Sequence, residues 1–277
     1  MNKNISALLT LLCLGLAACA PVHPQPAVSA PQTLPLSQGQ AVFIDIQDGI
    51  LNVTSTSSGQ LEVSGLPAST DDKAFSLSYM DDGVHLILKR QRSLFLQNQV
   101  PIQVGVSLPK GRVIHITNYD AALRFRSFDG EANITSLSGQ VSVQDSTGNF
   151  TINADRADVM VGSTTGQVHI AGNYGLLSIL DAHGTLSAST IMGTVRFAGP
   201  IAAGDIVSLE TDHGPVEIQL AETSDVTVRV RTTSGVITCS MPGLDYAGQG
   251  CAGSLNGGQG QLKVRTVSGG VMLQRLP

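Results

Sequence analysis

The chain has 277 residues and a formal net charge of 16 − 21 = −5, with 13% of residues charged. That balance disfavours nucleic acid as a partner, because phosphates call for a basic surface. Trp is absent, aromatic residues are 4% and glycines number 30, which disfavours long helices and fits many short strands joined by tight turns.

At the N-terminus, Lys3 precedes a short apolar stretch, Ile5 to Ala18. This is too short to cross a bilayer comfortably, which takes ~20 residues, and suits a signal peptide. It ends in Leu16-Ala17-Ala18-Cys19, which resembles the bacterial lipobox, where cleavage precedes a lipidated cysteine. On this reading residues 1–18 are a lipoprotein signal peptide and Cys19 is the lipidation site. An ordinary secretory signal that contains a cysteine is the alternative. Loss of Lys3 leaves 15 − 21 = −6. Two or more acyl chains, at ~0.8 kcal/mol per buried CH₂, make a stable anchor. Ala20 rather than Asp after the cysteine implies the outer membrane if the source is Gram-negative. Residues 19–39 then read as the lipidated cysteine and a tether, with five prolines between 20 and 39 favouring extended chain. Pro21-Val22-His23-Pro24 fits Pro-x-x-Pro but has no flanking Arg or Lys, so it reads as tether rather than as a ligand motif.

From residue 40 onward the sequence repeats with a period of nine. Counting from a glycine or its substitute as position zero, the main run starts at Arg112 and continues through Ala121, Gly130, Gly139, Gly148, Ala157, Gly166, Gly175, Gly184 and Gly193. Positions +2 and +4 are apolar: Val141 and Val143, Phe150 and Ile152, Val168 and Ile170. Positions +1 and +3 are mostly polar, as in Gln140 and Ser142, so each unit is a strand with one buried face. Position +6 is small or turn-forming: Asn118, Ser127, Ser136, Asp145, Ala154, Ser163, Gly172, Asp181 and Thr190. Further units follow Asp205, Gly214, Val226, Gly235, Gly260 and Gly269, and earlier ones follow Gln40, Gly49 and Gly59.

One register held over ten units predicts an all-β chain, a parallel β-solenoid in which each coil stacks on the one before it. The domain runs over 40–277, with a less regular β region near 66–110. There "AFSLSYMDDGVHLILKR" predicts a hairpin around Asp81-Asp82-Gly83, and "IQVGVSL" predicts one more strand. Two inward side chains per strand imply a thin core and favour two strands per coil. Leu123, Val141, Val159 and Leu177 then stack on one side, and Ala132, Phe150, Val168 and Leu186 on the other. A three-sided coil would instead pair Val141 with Val168, and a meander would pair it antiparallel with Phe150 and Ala132.

The segments "VSLPKGRVIHI", "LETDHGPVEIQLA", "VRVRTTSGVITCSMPG" and "GSLNGGQGQLKVRTVSGGVMLQ" resemble the bacterial putative-adhesin family of β-strand-repeat envelope proteins, some encoded beside Lia-type stress systems. The resemblance spans roughly 40–277 and is most specific at the C-terminus. It implies a β-helix-like fold at the cell envelope and brings no catalytic residues with it.

Chemistry-bearing residues are sparse. With Cys13 in the signal and Cys19 lipidated, Cys239 and Cys251 remain, and an even pair in an exported chain reads as a disulfide worth ~3 kcal/mol; free thiols are the alternative. Asp181-Ala182-His183-Gly184 and Asp212-His213-Gly214 offer metal-ligand types, but Asp and His before Gly also cap turns. "GGQGQL" at 257–262 lacks the Asp of the calcium-binding nonapeptide and occurs once. Arg124 and Arg196 fall at outward positions and Asp145, Asp155 and Asp181 in turns, scattered rather than grouped as a polysaccharide-acting β-helix enzyme would need. The expectation is therefore a non-catalytic, lipid-anchored envelope protein for adhesion, scaffolding or stress signalling. Its partners would be the membrane through its lipid and envelope proteins or glycans. It would have no metal, no cofactor and no nucleic acid, and the enzyme is the alternative.

Overall fold

The computed structural model describes residues 29–66, 75–80, 82–89 and 102–276. These contain strands and no helix, and the strands form one sheet of mixed orientation.

The N-terminal third holds β1 (Gln32–Pro35), β2 (Ala41–Ile46), β3 (Ile50–Thr56), β4 (Gln60–Ser64), β5 (Phe75–Met80), β6 (Gly83–Leu88) and β7 (Gln103–Pro109). The central third holds β8 (Arg112–Asn118), β9 (Ala122–Arg126), β10 (Asp129–Ser136), β11 (Gln140–Gln144), β12 (Thr147–Ala154), β13 (Asp158–Gly172), β14 (Leu176–Thr190) and β15 (Thr194–Gly199). The C-terminal third holds β16 (Ile206–Thr211), β17 (Val216–Leu220), β18 (Val226–Thr232), β19 (Ile237–Ser240), β20 (Leu244–Ala247), β21 (Gly250–Leu255), β22 (Gly260–Thr266) and β23 (Val271–Arg275).

Within the central third every pairing is parallel and joins units two repeats apart. Ala132 lies opposite both Ile114 and Phe150, and Val168 opposite Phe150 and Leu186. Val141 lies opposite Leu123 and Val159, and Leu177 opposite Val159 and Val195. This is the register of two strands per turn. The side chains at +2 and +4 of both stacks enter one buried cluster. Phe125 of the Val141 stack meets Phe150 of the facing stack edge-on at 6.1 Å, and Phe128 meets Phe125 at 5.4 Å and Phe150 at 5.9 Å. Each such side chain contributes ~1.5–3 kcal/mol only because the facing stack keeps water off it. β13 and β14 each run through a corner and belong to both stacks, which is why the two faces count as one sheet.

The two ends depart from simple succession. The first unit is inserted: Ile44 of β2 pairs with Leu86 of β6 on one side and Ile116 of β8 on the other. Likewise Val53 of β3 lies between Val106 of β7 and Phe125 of β9. The last unit is inserted too. Val264 of β22 sits between Leu209 of β16 and Val230 of β18, and Leu273 of β23 between Ile218 of β17 and Cys239 of β19. Three of the four outermost parallel strands, β6, β7 and β18, are then covered by antiparallel ones: β5 on β6, β4 on β7 with β1 on β4, and β21 on β18 with β20 on β21. The fourth, β19, is tied to β21 by the Cys239–Cys251 disulfide. Covering ends the parallel stack before it offers a long open edge to another chain.

These ends correct several expectations. The hairpin around Gly83 and the strand at 103–109 are present. The unit after Gly59 is not a coil: Leu61 and Val63 lie in antiparallel β4, paired with β1 and β7. Parallel order over all of 40–277 therefore gives way to mixed order at both ends. Residues read as tether are folded from Ser29 on: Ser29 donates its N–H to Leu66 O, β1 pairs with β4, and Leu36 is buried. The apolar alternation of Leu34 and Leu36 gives that stretch a face to bury. Coils do not stack in chain order at the ends, because any unit with the same apolar register fits beside any other.

Candidate binding surface

Two corners join the stacks, and they are built differently. The first follows β8, β10, β12, the second halves of β13 and β14, β16, β22 and β18. Here the side chains at position +6 turn inward and are buried as Asn118, Ser136, Thr190, Thr211, Thr232 and Thr266. Asn118 Oδ1 accepts the N–H of Ala121 at 2.8 Å, and its Nδ2 donates to Ser136 Oγ one rung on, also at 2.8 Å. Thr190, Thr211 and Thr232 each accept, through Oγ1, the N–H of the glycine that closes the same turn, at 3.1, 2.9 and 2.8 Å. Such local side-chain bonds favour turns over continued strand. Among the described residues no buried side-chain N or O lacks a partner.

With the +6 side chain turned inward, the following pair of residues projects. Their amides climb from rung to rung: Tyr119 N to Ile46 O, Leu137 N to Asn118 O, Arg156 N to Leu137 O, Tyr174 N to Asp155 O, Met192 N to Asn173 O, His213 N to Ile191 O, Ser268 N to Asp212 O and Ser234 N to Val267 O. Tyr119, Leu137, Tyr174, Ile191, Met192 and Val267 are exposed along this edge, Met192 at 57%. From Tyr119 to Val267 is six rungs, ~29 Å at ~4.8 Å each. Two rungs interrupt the apolar line, Asp155-Arg156 and Asp212-His213. At the first of them the polar side chains hold one another: Arg156 Nε lies 3.5 Å from Asp155 Oδ2, and Asn173 Nδ2 donates to Asp155 Oδ1 at 2.9 Å. Large exposed side chains scattered singly are ordinary; six of them along one edge make that edge the candidate surface.

The second corner follows β9, β11, and the first halves of β13 and β14. Its position +6 is held by Ser127, Asp145, Ser163 and Asp181, with φ of 51°, 50°, 48° and 53°, the left-handed region that costs non-glycine residues strain. The next residue turns inward instead: Phe128, Ser146, Thr164 and Ala182 are buried. Glycines stack behind them. Gly148 has φ +131°, and a Cβ there would meet Gly130 O at 1.9 Å. At the next occurrence Asp205 replaces the glycine. Its Oδ1 accepts the N–H of Gly184 at 2.8 Å and its Oδ2 that of Ala202 at 2.9 Å, while His183 Nδ1 lies 3.1 Å from Oδ2. Burial raises the Asp205 pKa, but the two N–H donors and His183 outweigh it and the net shift is downward.

The sequence-derived candidates fall as follows. Cys19 and Pro21 to Pro24 lie outside the described residues. Cys239 and Cys251 are joined by a disulfide with Cα atoms 6.6 Å apart, linking β19 to β21 and so one stack to the other at the C-terminal end. Asp181 and His183 approach to 3.5 Å and share the second corner with Asp205. Asp212 and His213 are on the first corner, where His213 Nδ1 lies 2.8 Å from Ser268 Oγ. Among the described residues no group of three or more His, Cys, Asp or Glu is placed to hold a metal ion. Arg196 Nε contacts Glu217 Oε2 at 2.7 Å, and Arg124 is exposed on the same outer face. Sequence reasoning missed the apolar edge. The signal was there in Tyr119, Leu137, Tyr174 and Met192, but their direction depends on which way the preceding +6 side chain turns.

No protein-family model matches the chain, and neither does any curated protein. Solved structures do resemble it. A putative cell adhesion protein from Clostridium sporogenes is 11% identical, over 91% of this chain and 100% of that one, with a TM-score of 0.29. A putative adhesin from Bacteroides fragilis is 10% identical over 91% and 98%, with a TM-score of 0.48. A putative adhesin from Parabacteroides merdae is 10% identical over 90% and 96%, with a TM-score of 0.33.

Proposed function

We propose that this chain is a lipid-anchored, non-catalytic β-solenoid of the bacterial cell envelope that binds through its first corner, in adhesion or scaffolding. The observation that carries this reading is the line of six exposed apolar side chains from Tyr119 to Val267, held rigid by the amide ladder and the buried polar residues behind it. The parallel two-unit register supports the solenoid, and the lipobox-like Leu16-Ala17-Ala18-Cys19 supports the anchor. Binding to an extended partner suits an edge that repeats every ~4.8 Å, because each rung presents its side chains in the same direction.

The test is photo-crosslinking in cells, with the crosslinker placed in turn at Tyr174, Met192, Asp145 and Ser163. Adducts from Tyr174 and Met192 and none from the other two are expected. Equal adducts from all four positions, or none from the first corner, refute the reading. The anchor is tested separately. Cys19→Ser should release the protein from membranes or leave it unprocessed; a mutant that matures and still fractionates with membranes rules lipidation out.

A further inference from the structure

We infer that the outer face of β18 and β22 is a binding site for an anionic polysaccharide, one bearing carboxylate or phosphate groups. In the parallel pairing of these strands Arg229 lies directly opposite Lys263, and Arg231 directly opposite Arg265. All four alternate with buried apolar or Thr positions and are exposed. Register neighbours are ~4.8 Å apart, and successive outward residues on a strand ~7 Å apart. Four cations therefore form a small square, in a chain with 16 Lys and Arg and a net charge of −5. Like charges directly opposite each other destabilise a sheet, so folding alone does not account for two such pairs side by side.

The acidic groups nearby offset at most one of the four charges. Glu210 is in register with Arg265 and lies 4.0 Å from Lys263 Nζ. Asp245 is in register with Ala252, which is in register with Arg229, so it is two strands, ~10 Å, away. On the β21 side, Ala252 and Gly250 lie opposite Arg229 and Arg231, and such small residues leave the guanidinium groups uncovered there.

The surroundings select a glycan over a bilayer. The square's other register neighbours are Ser208 and Glu210, and none of them is an apolar side chain able to enter lipid. The square is also far from the N-terminal end. Eight rungs separate β2 from β18 through β8, β10, β12, β13, β14, β16 and β22, ~38 Å at ~4.8 Å each. Guanidinium forks bind carboxylate and phosphate oxygens in pairs, and a flat polar sheet face lets an extended sugar chain lie across them. This surface adjoins the apolar corner, since Val267 follows Arg265 by two residues, but it uses different side chains and does not depend on it.

The test is equilibrium binding of the full chain to polygalacturonate and to phosphorylated dextran, with neutral dextran as reference. At least one of the anionic polymers should bind, and binding should weaken as KCl rises from about 50 to about 300 mM, because exposed charges are screened. The variant R229Q/R231Q/K263Q/R265Q should lose at least tenfold in affinity, with a melting temperature equal to or above the parent's. Should the fourfold variant fold poorly, R229Q/K263Q alone should show an intermediate loss. R124Q/R126Q, on the other stack, should bind normally. Wild-type affinity in the fourfold variant, an equal loss in R124Q/R126Q, or no binding to either anionic polymer overturns the proposal. So does a preference for phosphatidylglycerol over phosphatidylcholine vesicles that disappears in the fourfold variant while the polymers fail to bind, which makes a bilayer the partner.

Discussion

The two corners of this molecule share the same nine-residue spacing and the same small residues at +6, yet they solve the turn in opposite ways. At the first corner the +6 side chain is buried and hydrogen-bonded, as Thr211 is to Gly214 N at 2.9 Å, and the following residues project into solvent. At the second, position +6 takes a left-handed backbone, as Ser163 does at φ 48°, and the following residue enters the core. One choice of backbone thus decides which side chains are offered outward. The first corner presents Tyr, Leu, Ile and Met, and the second Ser and Asp. The structural repeat is accordingly two sequence units, not one.

The largest effect should come from the glycine column of the second corner. Gly148→Ala places a Cβ 1.9 Å from Gly130 O at a φ of +131°, where neither backbone can move without breaking the pairing. A loss of about 3 kcal/mol or more is expected, read by urea denaturation. A loss under about 1 kcal/mol would mean that this corner can re-form in another conformation.

At the first corner, Thr211→Val keeps the shape and removes the acceptor for Gly214 N, leaving a buried N–H unpaired. About 1–3 kcal/mol should be lost. The corners also predict opposite signs for one substitution at one repeat position. Ser136→Gly removes the hydroxyl that meets Asn118 and Ser138 and should cost about 1–2 kcal/mol. Ser163→Gly relieves a left-handed serine and should stabilise by up to about 1 kcal/mol. Equal signs in thermal melts would erase the distinction between the corners.

The smallest effect concerns acid. The lowered Asp205 pKa means that its ionised form favours the folded state. That contribution is present above the carboxylate's unfolded value, ~3.9, and is lost as pH falls through the lower folded value. Asp205→Asn should therefore flatten the fall in stability below about pH 4, while Thr211→Val should leave the slope unchanged. An unaltered acid limb in the Asp205 variant would show that the corner does not depend on this carboxylate.

Much of the fold is legible in particular residues. Val141, Phe150 and Val168 alternate with polar neighbours and are buried, as that pattern requires. The two-per-turn register also follows from them, since two inward side chains per strand fill only a thin core. The hairpin at Gly83 was marked by its turn residues. The candidate surface was far less legible: Leu137 is as apolar as Phe128, yet it is exposed while Phe128 is buried in the other kind of corner.

What the sequence determined by itself is the local unit: a short strand, its inward face, and a small residue where the chain must turn. These follow from side-chain alternation and steric freedom, which act within a few residues. What only the tertiary structure decided is which units are neighbours and which way each corner faces. β22 belongs between β16 and β18, and β2 between β6 and β8, although periodicity ranks every matching unit alike. That insertion sets Arg229 against Lys263 and leaves β18 to be covered by β21. The physical reason is that the apolar register makes all units interchangeable as partners, so the choice falls to chain connection and to the covering of the last open edge.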